Sequence, residues 1–222
     1  MATSDETLDD LRLRLAPAIA DAAVFDGWSE AAVTAAAEAE KVDPELAAYA
    51  FSREGTIRPM DMIAAWIRAI DRAMIAALPA SRLATLPVRE RIRTLVEFRL
   101  DAIASQVEAL RRALAVMAAP RHAAEALRLG WASADAMWRL AGDTATDYNH
   151  YTKRAILAGV YAATLAVMVD DESEGHRETR AFLDRRIDGI IRFEKAKARL
   201  TPPAGAGFSV ARFLGRLRYP AR

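Results

Sequence analysis

The three histidines, His122, His150 and His176, are the first candidates for acid–base or metal chemistry in this chain. None of them follows a glutamate by three residues, the spacing that puts a carboxylate and an imidazole of a helical di-iron site on one face. Asp147 and His150 are three residues apart, but such a pair supplies only half of that site. A hydrogen-bonded polar pair at a helix start explains them better, so no metal centre is expected.

The other reactive side chains also lack the patterns that chemistry requires. The chain contains no cysteine, which excludes disulfides, thiol nucleophiles and cysteine metal sites. The acidic run at residues 170–174 has neither the alternating ligands nor the central glycine of an EF-hand, so we interpret it as a solvated connection between helices. Gly205 and Gly207 lack the third glycine of a dinucleotide loop, and no serine stands in a nucleophile elbow. We expect no catalysis and no cofactor.

Helices must therefore position whatever site exists. The 222 residues carry a net charge of +1 and are rich in alanine, leucine, arginine and glutamate, which favour helix. Helix-like periodicity predicts helices over residues 5–25, from Ser29, from Asp43-Pro44, and over 61–78, 87–104, 106–118, 122–140, 147–169 and 176–197. No alternation long enough to predict a strand is present. In the 61–78 helix, Asp71 falls opposite the apolar stripe and is expected to face solvent.

Three short helices followed by longer ones are the layout of TetR-family repressors. This layout predicts a degenerate helix-turn-helix-like region over residues 1–52, a bundle for ligand binding and dimerisation over 53–199, and a linker with a terminal amphipathic helix over 200–222. The would-be recognition helix, residues 43–51, has two carboxylates and no base. That surface would be repelled by DNA phosphates, so we expect no nucleic acid partner. A TetR-like regulator sensing an apolar ligand is the alternative.

A long pattern in the C-terminal half is more specific. Residues 143–154 (DTATDYNHYTKR) lead into a charge-free run at 155–169, which contains LAGVY at 157–161, and FLDRR follows at 182–186. This pattern resembles the coenzyme Q biosynthesis accessory proteins, a lipid-binding family with a TetR-like fold that supports ubiquinone ring hydroxylation. The specific match covers roughly residues 127–195. It implies a non-enzymatic, bacterial member that presents an isoprenoid quinone intermediate to a ring-hydroxylating partner.

The resemblance implies two binding surfaces. One is a lipid pocket in the bundle, for which the candidates are the large apolar residues at helix-core positions: Trp66, Ile70, Phe98, Met117, Trp131, Trp138, Tyr161 and Met168. Ordinary core packing is the alternative explanation for each of these. The other surface lies at the start of the penultimate long helix and docks the ubiquinone-ring hydroxylase through Asp147, His150, Tyr151 and Arg154. The family has a larger aromatic residue where this chain has His150.

The last segments predict association with a second copy and with a membrane. The run at 155–169 is too short to span a bilayer but is apolar all round, so we expect a homodimer through the last two long helices. The tail has an apolar side (Val210, Phe213, Leu214 and Leu217) and a basic side (Arg212 and Arg216). Such a cationic amphipathic helix lies in the headgroup plane. With an acidic N-terminus unlike a signal or transit peptide, the chain is predicted to be cytoplasmic and peripheral on the inner membrane.

Overall fold

A computed structural model describes residues 6–144 and 148–200, and it describes the side chains of residues 6–144 and 150–190. The chain divides into two compact units, residues 1–184 and 185–222. The helices in the described part are α1 (Leu8–Asp26), α2 (Glu30–Ala39), α3 (Pro44–Phe51), α4 (Pro59–Ala77), α5 (Ala80–Leu83), α6 (Val88–Ile103), α7 (Val107–Met117), α8 (Ala123–Leu140), α9 (Tyr148–Val169) and α10 (Arg177–Leu200). The predicted all-α fold is confirmed.

Local capping chemistry sets the starts of the short N-terminal helices. The Ser29 hydroxyl accepts a hydrogen bond from the Ala32 amide at 3.4 Å, and the Asp43 carboxylate accepts one from the Glu45 amide at 2.8 Å. Both side chains satisfy amides that have no partner within the first turn. Pro44 follows as the first helical residue, where a missing amide proton costs nothing. The predicted starts of α2 and α3 are therefore confirmed.

A small β-hairpin between α3 and α4 is a feature that the sequence patterns do not predict. Strands β1 (Ser52–Arg53) and β2 (Thr56–Ile57) pair antiparallel, with Ser52 opposite Ile57. Glu54 and Gly55 connect them with φ values of 54° and 77°. Positive φ at both central residues is the geometry of the tight hairpin turn. Two residues are too few to show alternation, which is why the periodicity gave no sign of these strands.

Two tryptophans join the N-terminal helices to the rest of the bundle. The rings of Trp28 and Trp66 lie 5.3 Å apart. The Trp28 indole donates to the carbonyl of Ala109, and the Trp66 indole donates to the side chain of Gln106, each at 3.1 Å. Gln106 in turn donates to Asp21 in α1 at 2.6 Å. Helices α1, α4 and α7 are thus fixed against one another by buried and satisfied polar groups.

Helix α9 is unusually apolar for a helix with so much exposed surface. Its segment His150–Val169 is long and apolar enough to cross a membrane by length and composition, and 28% of an 18-residue stretch of it is buried within the chain. The helix packs against α7 and α8. The charge-free run at residues 155–169 is too short to span a bilayer by itself, and it reaches the length of a span only when residues 150–154 are included.

The acidic run after α9 contains a buried cap for α10. The Asp171 carboxylate accepts hydrogen bonds from the amide and hydroxyl of Ser173 at 2.9 and 2.5 Å, and from the amide and hydroxyl of Thr179 at 2.8 and 2.6 Å. Burial alone would raise the pKa of Asp171, but these four donors outweigh it and hold the pKa well below its ordinary value. The run was expected to be solvated, and this expectation is wrong for Asp171.

Replacement of Asp171 by alanine should lower the free energy of unfolding by about 1–2 kcal/mol, because the start of α10 loses its acceptor. The contribution is present above the unfolded-state pKa of about 3.9 and is lost as the pH falls below it, because the folded state favours the charged carboxylate. Urea unfolding at neutral and acidic pH measures both effects. Asp170→Ala is the matched control: Asp170 is exposed and pairs only with the exposed Arg111. Equal losses in the two variants would contradict the capping role.

Candidate functional site

A cavity of about 840 Å³ lies among α4, α6, α7, α8 and α9. Its walls are almost entirely apolar, and its volume is within the range of small-molecule sites. Small residues on three of these helices leave the space open, namely Ala113, Ala118, Ala126, Gly130, Ala155, Ala158, Gly159 and Ala162. Larger side chains at those positions would fill the gap between the helices. The many alanines of this chain thus help to form the cavity.

The structure brings five of the eight expected pocket residues together at this cavity: Trp66, Ile70, Met117, Trp131 and Tyr161. The other three lie elsewhere. Phe98 precedes Arg99, and successive helical residues point about 100° apart, so the cavity wall receives Arg99 and not Phe98. Trp138 covers the start of α9, where its indole donates to the Lys153 carbonyl at 3.0 Å. Met168 is fully buried beyond Leu165, the last residue of α9 at the cavity.

Arg99 is a charged residue in this apolar wall, and the sequence patterns did not single it out. It is 1% exposed. Its Nη1 donates to Asp71, its Nη2 donates to the Ser133 hydroxyl at 3.2 Å, and that hydroxyl donates to the second Asp71 oxygen at 3.1 Å. The guanidinium also lies 4.9 Å from the centre of the Tyr161 ring. Its Nε is buried and has no hydrogen-bond partner.

The position of Asp71 corrects the expectation that it faces solvent. The cost of burying Arg99 without a counter-charge is large, so the α4 carboxylate turns inward and pairs with it. Burial raises the pKa of Asp71, and the neighbouring Arg99 and Ser133 offset only part of that rise. For Arg99, burial acts to lower the pKa, but Tyr161 and Asp71 outweigh it, so the guanidinium stays protonated. Helical spacing alone shows which face Asp71 occupies but not a partner on another helix.

The expected docking surface adjoins the cavity. Tyr151 is 61% exposed, and its ring centre lies 6.1 Å from that of Trp131 and 5.1 Å from that of His150. Trp131 lines the cavity, as does Leu127 one turn earlier in α8, which is 75% exposed. An exposed aromatic and apolar surface therefore continues into the cavity wall. Asp147, which was also predicted to belong to this surface, lies outside the described residues. The predicted membrane contacts at residues 210–217 lie outside them as well.

Arg154 is not on that surface, which corrects its predicted role as a direct contact. It is 1% exposed and donates to Asp135 in α8 at 2.5 Å and to Asp143 at 3.0 Å. Lys153 also donates to Asp143, at 2.7 Å. Burial would raise the pKa of Asp143, but the two basic donors hold it below its ordinary value. Arg154 therefore fixes α9 against α8 and the connection between them, because a buried guanidinium needs both carboxylates.

Among the described residues no group of three or more histidine, aspartate or glutamate side chains is arranged to hold a metal ion. His150 stands against Tyr151, and His122 accepts a hydrogen bond from Arg121 at 3.0 Å. The described geometry consists of an apolar cavity, a buried ion pair at its wall, and an aromatic surface beside it.

Arg154→Met should lower the free energy of unfolding by about 1.5–3 kcal/mol, because α9 loses its charge-assisted hydrogen bonds to Asp135 and Asp143, while Arg139 and Lys153 still pair with these carboxylates. Tyr151→Lys, on the exposed face of the same helix, should change it by only about 0.5 kcal/mol. Denaturant unfolding followed by circular dichroism measures both. A mild effect of Arg154→Met would show that the buried pair does not hold α8 and α9 together.

Comparison with known proteins identifies relatives of the C-terminal half. Residues 123–194 match the family model described as COQ9. The ubiquinone biosynthesis protein COQ9 of Rattus norvegicus, a mitochondrial protein, is 40% identical over 100 residues, which are 45% of this chain and 32% of that protein. The Homo sapiens counterpart is 28% identical over 189 residues, covering 84% of this chain and 59% of the human protein. The aligned segments thus span between a third and three-fifths of these relatives.

A solved structure shows the same fold over most of the chain. The TetR transcriptional regulator from Nitrosomonas europaea superposes with a TM-score of 0.64 at 21% identity, covering 82% of this chain and 98% of that one. The TetR-like fold expected from the order of helices is thereby confirmed. The resemblance to the coenzyme Q accessory proteins is confirmed as well: residues 123–194 match the COQ9 family model, and COQ9 proteins are homologues of this chain.

Proposed function

We propose that this chain is a lipid-binding accessory protein of ubiquinone biosynthesis, and that it presents an isoprenoid quinone intermediate to a ring-hydroxylating enzyme. The names of its relatives place them in that pathway. The observation that supports the binding role is the 840 Å³ cavity with its largely apolar walls, because the hydrocarbon chain of a lipid is stabilised when it is removed from water. Five of the residues proposed to contact the lipid line this cavity.

The proposed hydroxylase contact is the surface formed by Tyr151, His150, Trp131 and Leu127. An exposed aromatic beside a large exposed apolar side chain is typical of a protein contact, since such groups contribute most of the binding energy at interfaces. Trp131 belongs to both this surface and the cavity wall. A partner docked here would therefore stand beside the opening through which a ligand passes, which is what presentation of a membrane-borne intermediate requires.

Dimerisation and membrane association belong to the same proposal. Only part of α9 is buried within the chain, and a second copy would cover more of its apolar surface in an isologous contact. The basic, amphipathic sequence at residues 210–217 supplies the proposed contact with an anionic leaflet, at the cytoplasmic face of the inner membrane. Together they would hold the cavity near the membrane in which the intermediate dissolves.

The acidic α3 surface disfavours the alternative, a regulator that binds DNA. The exposed side chains of α3 include Glu45, Leu46 and Tyr49, and no basic residue lies between Pro44 and Phe51. A helix that enters the major groove uses basic or amide side chains to reach phosphates and bases. The TetR-like fold therefore provides a cavity in this chain, but α3, which would face DNA, carries negative charge that DNA phosphates would repel.

Gly130→Phe should abolish co-purification of lipid. Gly130 lines the cavity, and a Cβ built on it meets no atom within 4 Å, so the new ring can extend into the empty space. Loss of a helical glycine does not itself destabilise α8, because glycine is the poorer helix former. Native mass spectrometry with lipid extraction measures the bound lipid. Ala132→Phe is the matched control, since Ala132 is exposed on the same helix and does not line the cavity. Equal lipid in both variants would exclude the cavity as the binding site.

Tyr151→Lys should lower ubiquinone and raise a ring-unhydroxylated precursor in cells that depend on this protein, while lipid co-purification persists. The substitution places a charge on the proposed docking surface but leaves the cavity intact. Quinone extraction and chromatography measure both species. Arg139→Ala is a control on α8, because Arg139 is exposed and its ion pair with Asp135 is solvent-accessible. Normal ubiquinone in the Tyr151 variant would rule out hydroxylase docking at this surface.

A further inference from the structure

Arg99 is the charged residue in the cavity wall, as far as the described side chains show, and it forms a cluster with Asp71 and Ser133. Arg99 and Ser133 both line the cavity. Five of the cluster's polar atoms are paired with one another, but the Arg99 Nε has no acceptor although it is buried. A buried donor without an acceptor is unfavourable, and a ligand oxygen is one way to satisfy it. The site therefore has a donor for which the chain provides no acceptor.

The charge of the cluster limits which oxygen fits. Asp71 offsets the charge of Arg99, and its carboxylate would repel the carboxylate or phosphate of an anionic lipid. A neutral acceptor, such as a ring carbonyl or a phenolic or methoxyl oxygen, meets the free donor without that repulsion. The Tyr161 ring, which lies beside the guanidinium and also lines the cavity, adds a flat apolar surface for a ring.

The position of the cluster sets the direction in which a ligand lies. Along α8 the cavity is lined from Ala123 to Ser133, and ten helical residues span roughly 15 Å. The cluster stands at the Ser133 end, whereas the lining toward Ala123, Met117 and Leu127 is apolar. An amphiphile with a ring at one end therefore matches the cavity when the ring is at Arg99 and the chain extends toward Ala123.

We propose that Arg99, held by Asp71 and Ser133, is a specificity-determining anchor that binds the neutral oxygenated ring of an amphiphilic ligand, with its apolar chain extending along α8. This inference rests on the proposed function and deepens it by assigning the headgroup chemistry. It predicts that a ligand with a neutral oxygenated ring binds more tightly than a fatty acid or a phospholipid.

The test compares three ligands with the same chain: decylubiquinone, decylbenzene and para-decylbenzoate. Trp66 and Trp131 line the cavity, so quenching of tryptophan fluorescence reports binding. The unaltered protein should bind decylubiquinone about tenfold more tightly than decylbenzene, which is the effect of one satisfied hydrogen bond. Para-decylbenzoate should bind no more tightly than decylbenzene.

The variant that removes the anchor is the double substitution Asp71→Leu with Arg99→Met. Removal of both charges together avoids the unpaired buried charge that either single substitution leaves. The preference for decylubiquinone over decylbenzene should fall to about one, while the affinity for decylbenzene stays within about twofold. Arg99→Lys is the second variant in case the first does not fold: it keeps the ion pair with Asp71 but has no Nε, so it should lose most of the preference too.

The outcomes separate this inference from the proposed function. An unchanged preference in a folded variant overturns the anchor, as does tightest binding of para-decylbenzoate. Binding of all three ligands with equal affinity by the unaltered protein also overturns the anchor but leaves the lipid-binding role intact. Binding of none of them overturns both.

Discussion

The arrangement of this bundle depends on the need to neutralise one buried charge. Arg99 in α6 is almost fully enclosed, so Asp71 in α4 and Ser133 in α8 must be within hydrogen-bonding distance of it. These contacts fix three helices at the distance that keeps the cavity open between them. Apolar packing alone favours closure of such a space, since close-packed interiors leave few voids. A polar cluster at one end and small residues along the walls together account for a cavity in a chain of modest size.

A second buried charge, that of Arg154, fixes α9 against α8. Arg154 joins α9 to Asp135 in α8 and to Asp143 before α9. The two helices also carry Trp131 and Tyr151, the ring pair at which the exposed surface meets the cavity wall. The family segment at residues 123–194 contains all of these residues. The residues of this segment therefore fix the position of the exposed aromatic surface relative to one wall of the cavity.

Helices and their caps were predictable because their causes are local: the spacing of apolar residues, Ser29 and Asp43 at starts, and proline at first positions. The fold and five cavity residues follow from the same patterns together with the family resemblance. Phe98, Trp138 and Met168 lie away from the cavity, because a helix-core position does not show which part of the core a side chain joins. Two of the misassigned polar residues, Asp71 and Arg154, have partners on other helices. Asp71 has the spacing of an exposed position, and the family resemblance assigned Arg154 to an exposed surface, yet each is turned inward by a charge on another helix. No local pattern encodes such pairs, and two-residue strands are too short to give any pattern at all.

The contact between Trp28 and Trp66 connects the stability of the N-terminal helices with the cavity. Trp66 lines the cavity on one side and contacts Trp28 on the other, and both indoles are tied to the segment at Gln106 and Ala109. A ligand that binds only the folded cavity stabilises every element that must be folded to form it. A ligand bound in the cavity would therefore be coupled, through the contact of Trp66 with Trp28, to the stability of α1 and α2. The N-terminal helices would in this way contribute to the affinity of the cavity for a ligand that they do not touch.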